Sequence, residues 1–179
     1  MFTDVVSWDV LFAPEQGAEI TSTVLVNIEK AITNHGTIYS SQYSCDDKGI
    51  INAFLANGKQ NPQSLFLFDK SQYFGRYERP LIDNFIQSLP PTQWAIGTSS
   101  VDDQILHSKI IAILYPDNTG WSFSGSFNLS TSAEKEFNIA HFIESRQLAE
   151  VIVGQIKEKF AWVKSHQPQP PVEERPKHE

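Results

Sequence analysis

Two short pairs of polar residues are the part of this sequence best suited to chemistry. The first pair is His107 and Lys109, and the second pair, with the same spacing, is Ser126 and Asn128. An imidazole can attack phosphorus and form a covalent intermediate, whereas ammonium, amide and hydroxyl donors stabilise the charge that builds on phosphoryl oxygens. These side chains together suit a phosphate oxyanion, and such chemistry requires neither a metal nor another cofactor.

Both pairs lie on segments that are predicted to form the two strands of a hairpin. Residues 105–114 and 121–128 are rich in β-branched and aromatic residues, and a Pro, Asp, Asn and Gly cluster separates them. Strand side chains alternate between two faces, so His107 and Lys109 are expected on one face, about 6–7 Å apart along the strand. Ser126 and Asn128 are likewise expected to share a face. If the register brings these faces together, the four side chains converge on a small volume.

The sequence resembles the phospholipase D superfamily at several points that follow one another in chain order. His107-x-Lys109 followed by Gly125-Ser126-Phe127-Asn128 is similar to the signature of that family, and the continuation to Lys135 resembles its small bacterial endonucleases. Similar fragments occur at 12–17, 43–44 and 69–72, so the resemblance runs from about residue 10 to residue 163. Without the family pattern, the first pair would be interpreted as a solvated strand edge and the second as an ordinary turn.

The resemblance implies a metal-independent phosphodiesterase, most often a nuclease that hydrolyses DNA or RNA through a phosphohistidine. It implies that His107 is the nucleophile in one subunit and the acid and base in the other. Lys109 and Asn128 would bind the phosphate, and Ser126 would add a donor. The sequence contains one His-x-Lys motif. Because single-motif members of the family form homodimers across a two-fold axis, we expect a homodimer that pairs the His107 edge with itself.

Two acidic residues of the family pattern are missing. Leu114 stands where the family has an aspartate after the lysine, and Ile139 stands where small nucleases have a glutamate that orients the histidine. The candidate replacements are Asp117 for the aspartate, and Glu136, Asn138 or His141 for the glutamate. Two alternatives therefore stay open: a weakened or inactive dimer that binds phosphate or nucleic acid, and a lipid hydrolase of the phospholipase D type.

The charge of the chain limits how it could contact a nucleic acid. The formal net charge is −7 over 179 residues, whereas binding to a phosphate backbone is driven largely by cations that displace counterions. Any positive surface must therefore be local. Lys70, Arg76 and Arg79 lie in one loop and could line a cleft together with Lys109, although a solvated charged loop is the alternative interpretation. Cys45 is the single cysteine and is expected to be a small buried residue.

Alternating strand and helix patterns predict one α/β domain over residues 1–164. We expect a mixed, largely parallel β-sheet flanked by helices on both faces. The apolar run 64–68 predicts a central strand whose carboxyl end brings the loop 69–79 to the ligand-binding edge. Residues 165–179 are rich in proline and predict a disordered tail. Neither a signal-peptide pattern nor a long apolar run is present, so a cytoplasmic protein without stable membrane insertion is expected.

Overall fold

Within residues 1–99 and 104–172, which a computed structural model describes, seven strands form one sheet. The strands are β1 (Ser7–Ala13), β2 (Thr37–Gln42), β3 (Leu65–Asp69), β4 (Trp94–Gly97), β5 (Lys109–Leu114), β6 (Gly120–Gly125) and β7 (Asn138–Glu144). The helices are α1 (Gly17–Thr33), α2 (Lys48–Gln60), α3 (Lys70–Tyr73), α4 (Arg79–Ser88) and α5 (Arg146–His166). A short 3-10 turn covers Ala133–Lys135.

The strand order is β1-β7-β6-β5-β2-β3-β4, which confirms the predicted mixed α/β sheet with flanking helices. The parallel part is narrower than expected. Only β2, β3 and β4 are parallel neighbours, because helical crossovers join these three strands. The pairs β1–β7, β7–β6, β6–β5 and β5–β2 are antiparallel. Strands β5, β6 and β7 follow one another without a crossover helix, so they meet as antiparallel neighbours.

The helices divide between the two faces of the sheet. Helices α1, α2 and α4 bury their apolar stripes on one face, as Ile20, Val24 and Ile28 of α1 illustrate. Helix α5 covers the other face with Val153, Ile156 and neighbouring apolar side chains. Its principal contacts are with β2 to β6. The β1 and β7 end of that second face therefore lies beyond α5.

Side chains from the segment after α5 form hydrogen bonds with the free backbone groups of the edge strand β4. The Gln169 carboxamide accepts a hydrogen bond from Ile96 N at 2.8 Å and donates one to Ile96 O at 3.1 Å. The Gln167 carboxamide accepts from Thr98 N at 2.8 Å and donates to Thr98 Oγ1 at 2.6 Å. These amides occupy the place of a neighbouring strand. Of the predicted tail, residues 165 and 166 belong to α5, and the segment that follows is hydrogen-bonded to β4 and Thr98. Residues 173–179 lie outside the described residues. The domain boundary at residue 164 stays a prediction.

Replacing Gln169 with alanine should destabilise the protein by about 1–2 kcal/mol, because two backbone groups of Ile96 lose their partners. Urea unfolding followed by circular dichroism measures this change. Gln60→Ala is the matched control, since Gln60 is exposed at the end of α2 and its loss should stay within about 0.5 kcal/mol. Equal unfolding midpoints for the two variants would contradict the role given to Gln169.

Candidate active site

The segments that carry His107, Lys109, Ser126 and Asn128 lie at one end of the sheet's central strands, where β5 begins and β2 and β6 end. His107 lies in the loop ahead of β5 rather than inside the strand, so the expected strand from residue 105 begins later. The reason is a side chain: Leu106 N donates to Asp69 Oδ2 at 2.6 Å. A carboxylate at the end of β3 thus holds this segment, and the ladder with β2 starts at Lys109 and Gln42.

His107 and Lys109 are brought together around the ring of Tyr43. The imidazole of His107 is exposed, and its centroid lies 4.8 Å from that of Tyr43. Lys109 is buried; its Nζ donates to His107 O at 2.8 Å and lies 5.1 Å from the centroid of the Tyr43 ring. Burial lowers the pKa of the Lys109 ammonium, because surroundings of low polarity disfavour the charged form.

Ser126 and Asn128 follow the end of β6, and they differ in whether their side-chain oxygens have hydrogen-bond partners. Ser126 Oγ donates to Asn138 Oδ1 at 3.1 Å and accepts from Ile139 N at 3.0 Å, so its proton is already engaged. Asn128 Oδ1 is buried without a partner. A buried carboxamide oxygen without a partner is costly, and because it is an acceptor it favours a donor such as water.

The backbone ties Asn128 to the segment that follows Tyr43. Leu129 O accepts hydrogen bonds from Asp46 N at 3.0 Å and Asp47 N at 3.1 Å, and Cys45 forms a parallel bridge with Leu129. The loop after β6 is thereby fixed beside the loop after β2. The structure thus places the Asn128 carboxamide and the Tyr43, His107 and Lys109 cluster on adjacent loops of one sheet edge.

The predicted cations of the loop after β3 are all exposed. Lys70 begins α3 at the carboxyl end of β3 and lines a cavity of about 220 Å³ beside the segment after α5. Arg79 pairs with Asp83 at 3.6 Å, which partly neutralises it. Arg76 lies 5.9 Å from the centroid of the Tyr77 ring. Lys70 and Arg76 thus stay predictions for contacts with a substrate backbone.

The candidate replacement for the missing aspartate lies away from this edge. The Asp117 carboxylate accepts from Thr119 N at 3.0 Å and Thr119 Oγ1 at 2.6 Å in the turn between β5 and β6. That turn is at the opposite end of β5 from His107, where Leu114 also lies, so the replacement of the family's aspartate by Asp117 stays a prediction. Leu114 packs into the apolar cluster under α5.

The three candidates for the missing glutamate do not orient the histidine. Asn138 is engaged by Ser126 and by Ala133 O, and His141 Nδ1 accepts from Trp8 Nε1 at 3.2 Å. Glu136 is exposed. In the part of the chain that the structure describes, no group hydrogen-bonds the imidazole of His107.

Cys45 is buried, as expected, and burial raises the pKa of its thiol well above the usual value. A thiol in this state is a poor nucleophile because the reactive thiolate is disfavoured. Glu78 lies beside it and accepts from Cys45 N at 2.9 Å and Ser44 Oγ at 2.6 Å. Burial likewise raises the pKa of the Glu78 carboxyl. Both residues hold the loop after β2 in place.

Residues 1–99 and 104–172 contain neither a cluster of metal-ligating side chains nor a membrane-spanning helix. No three His, Cys, Asp or Glu side chains are grouped so that they could hold a metal ion. No helix of these residues is long and apolar enough to cross a membrane.

Solved structures identify the fold. No family model matches the sequence, and no curated protein matches it. Nuc from Salmonella typhimurium, a phospholipase D family member, superposes with a TM-score of 0.65 at 25% sequence identity. The match covers 87% of this chain and 94% of Nuc. The chain has a nuclease-like fold of the phospholipase D superfamily.

Two further structures share this phospholipase D fold. NucT from Helicobacter pylori superposes with a TM-score of 0.63 at 11% identity and covers 87% of this chain and 96% of NucT. Polyphosphate kinase from Porphyromonas gingivalis gives a TM-score of 0.58 at 15% identity, over 92% of this chain and 27% of the kinase. At these identities the likeness concerns the fold alone. The family resemblance predicted from the motifs is confirmed at the level of the superfamily fold.

Proposed function

We propose that this phospholipase D-like protein is a metal-independent phosphodiesterase that hydrolyses DNA or RNA. The observation that carries the proposal is the placement of His107 and Lys109 around the Tyr43 ring, with the loop that carries Asn128 fixed beside the segment after Tyr43. The likeness to Nuc supports it. Lys70 and Arg76 are proposed to contact the substrate backbone on the same side of the sheet.

The proposed reaction has two steps. The imidazole of His107 attacks phosphorus, and the bond to the leaving oxygen breaks while the partner's His107 donates a proton to that oxygen. Lys109 and Asn128 donate to the phosphoryl oxygens, whose charge increases in the transition state. The partner's His107 then takes a proton from water, which attacks the phosphohistidine and releases a phosphate monoester. Ser126 can donate only after it gives up its bond to Asn138.

An exposed apolar surface supports the homodimer that this reaction needs. Every second residue of β1 places its side chain on one face of the sheet. On this face Trp8, Val10 and Phe12 are 64%, 36% and 43% exposed. Ile143 and Ile139 of β7 are the cross-strand neighbours of Trp8 and Phe12. We call these five residues the β1–β7 face. His141, the cross-strand neighbour of Val10, lies among them, and an exposed, mainly apolar surface of this kind marks an interaction site.

The position of the β1–β7 face fits a second copy of the chain. The register Val10, His141, Ser124, Ile110 places it on the same side of the sheet as α5, beyond the strands that α5 covers. It also begins at the site, since Ile139 N donates to Ser126 Oγ. The homodimer that we propose seats a second copy on this face, next to the Ser126 end of the site.

A dimer that binds phosphate or nucleic acid without turnover is the second candidate. It is favoured by the absence of a hydrogen-bond partner for the His107 imidazole among the described residues, because such a partner normally fixes the tautomer that reacts. A lipid hydrolase activity and a cytoplasmic location remain predictions from the sequence.

A cleavage assay in excess EDTA tests the proposal. The substrates are single-stranded and double-stranded DNA, RNA, bis-p-nitrophenyl phosphate and phosphatidylcholine vesicles. We expect diester cleavage that does not respond to the chelator, with a nucleic acid cleaved faster than the lipid. Binding of oligonucleotide without products over long incubation would support the second candidate, and cleavage that needs an added divalent metal would contradict the mechanism.

A further inference from the structure

The Tyr43 ring contacts both residues of the His-x-Lys pair. Its centroid lies 4.8 Å from that of the His107 ring, at an interplanar angle of 57°, and 5.1 Å from Lys109 Nζ. Cations interact favourably with an aromatic ring at such distances. We propose that Tyr43 is the positioning residue for His107 and Lys109 and acts in place of an orienting carboxylate, which no residue of 1–99 and 104–172 supplies. This inference rests on the proposed function of the same site.

Tyr43 is itself fixed at both its backbone and its hydroxyl. Tyr43 N donates to Ser108 O at 2.7 Å, which extends the pairing of β2 with the segment that carries His107. Gln72 Nε2 donates to the Tyr43 hydroxyl at 2.9 Å. The ring is therefore held at two points and restricts the rotation of the imidazole that it contacts.

One buried carboxylate links the two sides of this contact. Asp69 Oδ1 accepts from Ser71 N at 2.9 Å and from Gln72 N at 3.2 Å, and so caps the turn that carries Gln72. Asp69 Oδ2 accepts from Leu106 N, next to His107. The Gln72 side chain that holds Tyr43 and the backbone that carries His107 are thus both anchored on Asp69.

Positioning by a ring leaves the imidazole nitrogens available for the reaction. A carboxylate would occupy one nitrogen of His107, whereas the Tyr43 ring contacts the imidazole without a hydrogen bond. In the proposed mechanism the imidazole must be neutral as nucleophile in one copy and protonated as acid in the other. An aromatic ring accommodates both forms and also favours the cation. The same ring keeps the Lys109 ammonium beside the reacting phosphate.

The kinetic test compares Tyr43→Leu, which removes the ring, with Tyr43→Phe, which keeps it. We expect Tyr43→Leu to lower kcat on bis-p-nitrophenyl phosphate by about 100-fold, because small misplacements of a reacting group have effects of this size. Tyr43→Phe should recover kcat to within about tenfold of the wild type, and KM should change less than kcat in both variants. Phe2→Leu is the control, since Phe2 is 41% exposed ahead of β1, and its kcat should equal that of the wild type. Equal kcat values for Tyr43→Leu and the wild type would overturn the proposal.

Gln72→Leu provides a second variant that leaves the ring in place. Gln72→Leu and Tyr43→Phe each remove the hydrogen bond between Gln72 Nε2 and the Tyr43 hydroxyl. The double variant with both substitutions should therefore lose no more activity than either single variant. Fully additive losses would show that Gln72 does not act through Tyr43.

Nuclear magnetic resonance of the histidine ring protons tests the contact independently of activity. The Tyr43 ring current displaces the His107 resonances; we expect these resonances to move in Tyr43→Leu and to stay close to wild type in Tyr43→Phe. Unchanged resonances in Tyr43→Leu would overturn the positioning role. If the wild type cleaves no substrate, the proposed function fails, and the resonances still decide whether Tyr43 holds His107.

Discussion

The variant His107→Ala should lose diester cleavage by a factor of about 10⁴ or more, because the substitution removes the nucleophile from one copy and the acid and base from the other. A single-turnover assay with bis-p-nitrophenyl phosphate in EDTA measures the loss. His166→Ala is the matched control, since His166 is exposed at the end of α5, and its rate should equal that of the wild type. Cleavage retained by His107→Ala would refute the phosphohistidine route.

Substrate affinity should survive the same substitution. Lys109 Nζ donates to the backbone oxygen of His107, which alanine retains, and Asn128 is not altered, so the groups proposed to bind the phosphate are intact in His107→Ala. An oligonucleotide should therefore bind to the variant with a Kd within about tenfold of the wild-type value. Loss of binding together with cleavage would mean that His107 acts mainly as a ligand of the substrate.

Mixed dimers distinguish a shared site from two independent sites. If one reaction needs His107 from both copies, only dimers with two intact copies are active. Random pairing of equal amounts of wild type and His107→Ala should then leave about a quarter of the activity, whereas independent copies would leave about a half. Co-expression followed by assay at several mixing ratios separates a quadratic dependence from a linear one.

The sequence predicted the order and type of the main elements because their periodicity is local. The apolar run 64–68 predicted a central strand, and the structure has β3 there, between β2 and β4. The extent of parallel pairing could not be obtained in this way. It depends on which strand β5 joins, and β5 joins β2 in the antiparallel sense.

The contacts that organise the candidate site were hidden because they join residues far apart in the chain. The sequence showed Tyr43 only as part of a family fragment, and nothing local indicates that its ring lies against His107. Asp69 carried more signal, since an aspartate directly after a buried strand often caps the next turn. Its second bond, to Leu106 N, explains why the expected strand at 105–108 is a loop.

Val10→Glu, a substitution on the β1–β7 face, should convert the proposed homodimer to a monomer and abolish cleavage. Val10 lies between Trp8 and Phe12 and is 36% exposed, so the glutamate should be tolerated by the fold but not by an apolar interface. A carboxylate buried in this interface, although it lies opposite His141, should raise the dimer Kd by about 100-fold or more. Analytical ultracentrifugation measures the change.

Val26→Glu is the matched control for this variant. Val26 is 60% exposed on α1, which packs on the opposite face of the sheet, so the same substitution there should leave a dimer with unchanged activity. The oligomeric state and the cleavage rate of Val10→Glu together test the position of the interface and the need for two copies of His107. A Val10→Glu protein that remains a dimer would place the interface elsewhere, whereas a monomer that cleaves at the wild-type rate would show that one His107 suffices. Only joint loss of the dimer and of turnover agrees with an active site that needs both copies.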